Sequence, residues 1–256
     1  MTPRTRSPKA RPTPDERAFL ARYDADAYER LSVAVDVALV AAAEGALHTL
    51  VVRRTEHPER GRFALPGTFV RPDEPLEAAA ARALAAKSGL DGVFLEQLYT
   101  FGDPGRDPRT RVVSVAYYAL VDAARLLAAA RAGEGVALAR LQVPWEGETG
   151  GPVEAAGAGG EVLPLAFDHA AILGMAVKRL RGKLDYTPVG FQLLPPSFTL
   201  LELQRVHETV LGRPLNKDSF RRRMLASGQL EATGEKQEDV EHRPAERYRF
   251  ARRSAV

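Results

Sequence analysis

The 256 residues are 45% hydrophobic and 27% charged, enough apolar matter to build packed cores and too much for a chain disordered throughout. There is no cysteine, which excludes disulfides, thiolate nucleophiles, thiolate zinc sites and thiol redox chemistry. A formal charge of +3 is only a weak preference for anionic partners, and no apolar run approaches the roughly 20 residues of a membrane span or the core of a secretory signal, so a cytoplasmic chain of two domains is expected.

Residues 1–14 carry four prolines among Arg4, Arg6, Lys9 and Arg11 with almost nothing to bury, the composition of a flexible basic tail. Order is expected from near Pro14. Residues 31–40 (LSVAVDVALV) are apolar and β-branched, as a buried strand requires, and residues 48–53 (HTLVVR) follow a turn at Glu44-Gly45, so the two make a hairpin. Residues 62–71 are strand-like but interrupted. Pro72 to Pro75 then signals a helix start with Asp73 as N-cap, and the alanine-rich run from Leu76 to Ser88, stopped by Gly89, predicts a helix of about four turns.

Residues 94–101 and 112–121 read as strands around a polar loop, 102–111, that holds Arg106, Arg109, Arg111, Asp103 and Asp107. Between 122 and 160 the alanine, glycine and glutamate content predicts short elements joined by loops without fixing any of them. From 167 to 184, Ile172, Leu173, Met175, Ala176 and Leu180 recur at helical spacing, with Asp168-His169 at the start and Lys178, Arg179, Arg181 and Lys183 toward the end. This helix is expected to connect two halves. His57 and His169 lack a spaced partner and are assigned to solvent or hydrogen bonding, not to a metal.

Thr199 and Glu202 spell a capping box, followed by Leu200, Leu203, Val206 and Val210 at three- and four-residue steps. A turn at residues 212–215 precedes Asn216, which caps a second helix, and two short helices so joined are a helix-turn-helix. In the second helix Phe220, Met224 and Leu225 gather on one side, leaving Ser219, Arg222 and Arg223 opposite and Asn216 at the leading end. Lys217 and Arg221 fall nearer the apolar side. From Arg213 to Arg223 five basic residues meet one acid, Asp218. Residues 229–233 and 246–250 read as strands flanking a wing-like loop, 234–244, with Lys236 and Arg243 as its contacts. A solvated basic helix is the plainer alternative.

Residues 64–90 (ALPGTFVRPDEPLEAAAARALAAKSGL) resemble the signature of the Nudix family, with Glu74, Arg82, Leu84, Gly89 and Leu90 setting the frame. Thr68 then falls at the opening glycine, and Ala83, Ala86 and Lys87 stand where the family has three helix glutamates. In the family those carboxylates hold Mg²⁺ for cleavage of nucleoside diphosphate linkages. A methyl group offers no ligand atom and an ammonium repels the cation, so the resemblance implies a Nudix-type αβα sandwich with no catalytic residue, metal or cofactor. An alanine-rich helix that merely covers a sheet is the alternative for these residues alone. The stretches VVRRTEHPERGRFALPG and LYTFGDPGRDPRTRVVSVAYYALV extend the similarity, and residues 163–250 are similar to the C-terminal region of the NrtR-like, Nudix-related transcriptional regulators.

The fold this resemblance implies is α+β: a tail over 1–14, a Nudix-like effector domain over 15–160, a connecting helix and linker over 161–197, and a winged helix-turn-helix DNA-binding domain over 198–256. It implies a homodimeric regulator, a repressor of NAD or related nucleotide and sugar metabolism genes, with no membrane partner. A double-stranded DNA operator is expected to meet Asn216, Lys217, Ser219, Arg221, Arg222, Arg223, Lys236 and Arg243. An ADP-ribose-like effector is expected to meet Arg54, Arg71, Glu74, Tyr99, Phe101, Arg106 and Arg109. Tyr99 and Phe101 either stack on a base or pack a core, and Arg106 and Arg109 either meet phosphate or form an Asp–Arg network that stiffens their loop. Two rival functions stand beside this one: a Nudix hydrolase using Glu74 and Glu77 as substitute ligands, and a sensing module whose basic helix meets protein.

Overall fold

The computed structural model describes residues 13–133, 135–237 and 244–251. Residues 1–12 of the expected tail, and Arg243, lie outside them. Residues up to Leu31 form a unit of their own, and Ser32 begins a second. In the first, helix α1 (Pro14–Leu20) opens on Thr13, whose hydroxyl accepts the Glu16 amide at 3.2 Å, with proline at the position where a missing N–H costs nothing. Tyr23 lies 5.7 Å from the Phe19 ring and 6.2 Å from the Tyr28 ring.

The second unit opens with β1 (Ser32–Ala43) and β2 (Ala46–Arg53), the expected hairpin, turned at Glu44 and Gly45, both at positive φ. The interrupted segment resolves into β3 (Phe63–Ala64) and β4 (Gly67–Phe69), which pair with β2 and β1. Helix α2 (Leu76–Ser88) ends at left-handed Gly89 as expected, but its N-cap is Pro75 with no side-chain bond, not Asp73; the φ-restricted proline makes the entry without a capping oxygen. Strands β5 (Phe94–Phe101) and β6 (Val112–Leu120) follow. The unassigned region supplies α3 (Ala123–Ala132), capped by Asp122, then β7 (Val136–Gln142) and β8 (Glu154–Ala156).

These strands make one sheet in the order β5-β6-β1-β2-β7-β8, with β1 parallel to β6. Strand periodicity sends alternate side chains of β1 to opposite faces. Val35, Val37, Leu39 and Ala41 pack against Ala79, Ala80, Ala83 and Leu84 of α2 and Leu126 and Ala129 of α3. Ala38 and Val40 belong to the other core, with Ile172, Leu173, Ala176, Val177 and Leu180 of α4 (His169–Lys183). The result is the expected αβα sandwich.

Beyond α4 and a 3-10 turn at Pro188–Leu193 lie β9 (Phe198–Thr199), α5 (Leu200–Leu211), α6 (Lys217–Ala226), β10 (Leu230–Lys236) and β11 (Glu246–Phe250). The capping box is present, since Thr199 Oγ1 accepts the Glu202 amide at 3.2 Å and the Glu202 carboxylate accepts the Thr199 amide at 2.6 Å. Asn216 accepts the Ser219 amide at 3.0 Å to start α6. Strand β9, absent from the sequence reading, adds to β11 and makes a three-stranded sheet in the order β10-β11-β9. This is a winged helix. Its core residues Leu203, Val206, Val210, Phe220 and Met224 are continuous with the α4 core, so α4 is a packed layer rather than a loose connection.

Candidate functional site

A cleft of about 240 Å³ opens where β1, β4, the 102–111 loop and the start of α4 meet. Its floor is ionic. Asp36, the single acid in the apolar run of β1, accepts the Ser114 hydroxyl at 2.6 Å and pairs with Arg106 at 3.3 Å, and it faces His169 Nε2 at 3.5 Å. Burial by itself would raise this carboxyl; His169, Ser114 and Arg106 outweigh burial and hold it lowered to about 2. Arg106 donates two further bonds to Asp168, at 2.9 and 2.7 Å. His169 Nδ1 accepts the Leu65 amide at 2.9 Å, so in the neutral ring Nε2 carries the proton and points it at Asp36. Gly67 permits this floor, because a Cβ there would lie 2.3 Å from Asp36 Oδ1.

The walls carry cations and aromatic rings. Arg109 is bonded to Asp107 at 3.0 and 2.7 Å and lies over the Phe69 ring at 5.4 Å. Arg54 donates to the Pro58 carbonyl at 2.8 Å and lies over the Phe167 ring at 4.7 Å. Among the described residues no carboxylate lies within ion-pair distance of Arg54. Phe167 has a left-handed φ of 53°, an unfavourable conformation for an aromatic residue, and its amide is held by the Glu59 carboxylate at 2.6 Å.

Of the seven residues expected around an effector, Arg54, Arg106 and Arg109 line this cleft, and Arg71, Glu74, Tyr99 and Phe101 do not. Tyr99 is exposed on edge strand β5, edge-on to Phe101 at 5.5 Å, and Phe101 packs on the core. Glu74 accepts the Arg71 amide at 2.9 Å and takes both Nε and Nη2 of Arg82. The Arg82 hydrogen bond is the main reason its carboxyl lies below the usual range. Sequence reasoning missed Asp36, Phe69 and Phe167; only Asp36 left a signal there, an acid inside an apolar strand.

The divalent cation that the Nudix fold implies does not fit these residues. Ala83 is buried against the sheet, Ala86 and Lys87 are exposed without a carboxylate, and Glu74 is committed to Arg82. Among the described residues no three His, Cys, Asp or Glu side chains converge as a metal site.

The second site is α6 with its surroundings. Phe220 and Met224 are its buried side; Leu225, expected with them, is 45% exposed, because it falls about 100° past Met224 on the wheel. Arg222 faces away from the buried pair and Ser219 lies beside it. Arg223, expected on the same outer face, instead lies over the Phe220 ring at 5.7 Å and pairs with Asp185 at 3.5 Å. Lys217, Arg221 and Lys236 line a groove of about 770 Å³ with Leu201, Phe220 and Tyr248. Lys236 is the last residue of β10, not part of a loop. The Asn216 side-chain oxygen is occupied as a cap. Among the described residues, no helix is long and apolar enough to cross a membrane.

Residues 190–250 match the NrtR DNA-binding winged helix domain and residues 30–145 match the NUDIX domain. The chain is 37% identical over 238 residues to an ADPR responsive transcriptional repressor, NtrR, of Acinetobacter baylyi, covering 92% of this chain and 88% of that one. The structure is similar, at TM-score 0.70 and 34% identity, to Shewanella oneidensis NrtR complexed with a 27mer DNA, over 85% of this chain and 93% of that chain. It is also similar, at TM-score 0.72 and 26% identity, to a MutT/nudix family protein from Enterococcus faecalis, over 92% of each. The chain belongs to the NrtR family of ligand-responsive transcriptional regulators, a Nudix domain joined to a DNA-binding winged helix.

Proposed function

We propose that this regulator binds an ADP-ribose-like effector in the Asp36–Arg106 cleft without hydrolysing it, and that the effector changes the affinity of the winged helix for a double-stranded operator. The observation that carries the reading is Arg54. Arg106 and Arg109 already have carboxylate partners, whereas Arg54 is a cation backed by an aromatic ring and a carbonyl, open to a phosphate oxygen. Phe69 and Phe167 offer the flat apolar surfaces a base or ribose needs. The cleft volume falls below the roughly 300–1,000 Å³ common for drug-sized ligands, so one end of the effector enters and the remainder lies across the rim.

On this reading the chain represses as a homodimer, each winged helix taking one half-site of an operator at genes of NAD or related nucleotide and sugar metabolism. Asn216, Lys217, Arg221 and Lys236 meet the phosphate backbone, and Ser219 and Arg222 face base edges. Effector affinity must differ between the free and DNA-bound states for a response to exist.

The test is a titration of ADP-ribose by calorimetry and of the chain's own upstream DNA by anisotropy, each with the other ligand absent and present, beside a Mg²⁺-supplemented turnover assay. The reading expects saturable ADP-ribose binding that fails in Arg54→Ala, a mutual change in the two affinities, and no Mg²⁺-dependent cleavage. Turnover that disappears in Glu74→Gln would replace it with the hydrolase.

A further inference from the structure

Helix α4 reaches from the cleft to the winged helix, about 22 Å at 1.5 Å per residue. At its cleft end Asp168 takes Arg106, and His169 takes the Leu65 amide. Near its far end lies Arg181, 7% exposed. Its Nε donates to the Val210 carbonyl of α5 at 2.8 Å, and its Nη1 donates to the carbonyls of Trp145 and Gly147 at 3.2 and 2.9 Å. The guanidinium also lies over the Trp145 ring at 4.8 Å. Among the described residues no carboxylate lies within ion-pair distance of it.

A buried cation without an anion is costly, and the three carbonyls, the negative end of the α5 dipole and the Trp145 face offset only part of that. An apolar side chain of similar volume would avoid that desolvation cost. What it would not do is tie three chain segments together: the guanidinium fork on α4 holds a carbonyl of the helix-turn-helix and two from the segment after β7. Gly212, the αL cap of α5, keeps room for it, since a Cβ there would stand 3.1 Å from Nη2.

We propose that Arg181 is a positioning residue that sets the orientation of the winged helix against the Nudix sheet, and that α4 carries displacement from the cleft to this pin. The carrying of displacement rests on the effector reading above; the pin does not. Because the carbonyl partners are held by hydrogen bonds rather than by an ion pair, a shift of α4 breaks them, and both ends of the guanidinium's contacts then become free to reorient.

The chain has no native cysteine, so a pair introduced at exposed Glu154 on β8 and Glu235 on β10 takes spin labels cleanly in the full-length protein. Distance distributions are recorded without ligand for Arg181, Arg181→Met and Arg181→Lys. A narrow distribution that broadens or splits in Arg181→Met, with Arg181→Lys between, supports the pin; an unchanged distribution in folded Arg181→Met overturns it. If Arg181→Met does not fold, Trp145→Leu is read the same way. Operator affinity is then measured with and without ADP-ribose. The ratio is expected to fall about tenfold or more toward unity in Arg181→Met, while ADP-ribose affinity without DNA stays within about threefold. A ratio retained in full overturns the transmission. Failure of the unsubstituted protein to bind ADP-ribose overturns the effector reading and the transmission, and the ligand-free distances still decide the pin.

Discussion

Arg106 and Asp168 are joined by two hydrogen bonds, at 2.9 and 2.7 Å, that tie the β5–β6 loop to the first turn of α4. The same guanidinium reaches Asp36 on β1, so one side chain links the sheet, the loop and the helix. Arg106→Met leaves two carboxylates without this cation, one of them the buried Asp36. Urea unfolding is expected to show a loss of about 3–5 kcal/mol, and calorimetry a loss of ADP-ribose binding. Unchanged stability would mean that the ion cluster does not hold the cleft together.

Arg222 and Lys217 are expected to separate base reading from phosphate contact. Arg222→Ala should reduce discrimination between operator and scrambled DNA by about 1–3 kcal/mol. Lys217→Ala should weaken both DNAs alike and lower the salt dependence of binding by about one ion. Anisotropy at several salt concentrations reads both, and the reverse pattern would reassign the two faces of α6.

His207 stands buried between α5 and α6, edge-on to Phe220 at 5.0 Å, with no partner for Nδ1. Burial, with a smaller contribution from Arg223, lowers its pKa from 6.5 to about 4. The unfolded chain therefore takes up a proton near pH 6.5 that the folded chain refuses until about pH 4. Its contribution is complete above pH 6.5 and declines through that window, on the order of 3 kcal/mol in all. The difference in stability between the native chain and His207→Leu, followed from pH 7.5 to 4.5, is expected to shrink accordingly. A difference that stays constant with pH would show that the ring takes up its proton in the fold at the same pH as in the unfolded chain.

The capping box predicts its own small effect. Thr199→Ala removes the acceptor of the Glu202 amide at the start of α5 and should cost about 1 kcal/mol. Thr199→Ser should restore most of it. Thermal unfolding of the two variants is sufficient, and equal losses would point to the buried methyl of Thr199 rather than its hydroxyl.

Much of the architecture was readable because it depends on local chemistry. The β1–β2 hairpin follows from two apolar runs around Glu44-Gly45, α2 stops where glycine permits a left-handed residue, and Thr199, Glu202 and Asn216 mark helix starts with their own side chains. Elements with weak local signals were missed. Strand β9 is two residues long and exists because β11 is there to pair with it, and β7 and β8 lie in an alanine- and glycine-rich stretch where β7 adds to the edge of β2 and β8 to the edge of β7. Arg223 was placed outward by helical period alone, yet Phe220 and Asp185 draw it aside.

That Ala83, Ala86 and Lys87 bring no side-chain oxygen to a metal was decided by residue type alone, whatever the arrangement of the chain. The cleft was decided by the tertiary structure. Asp36, Arg106 and Asp168 are separated by 70 and 62 residues, and Arg181 meets Val210 across 29. A capping hydroxyl finds its partner within one turn, whereas a buried charge takes whatever partner the packing of distant strands and helices brings to it, and that packing is not written in any local spacing.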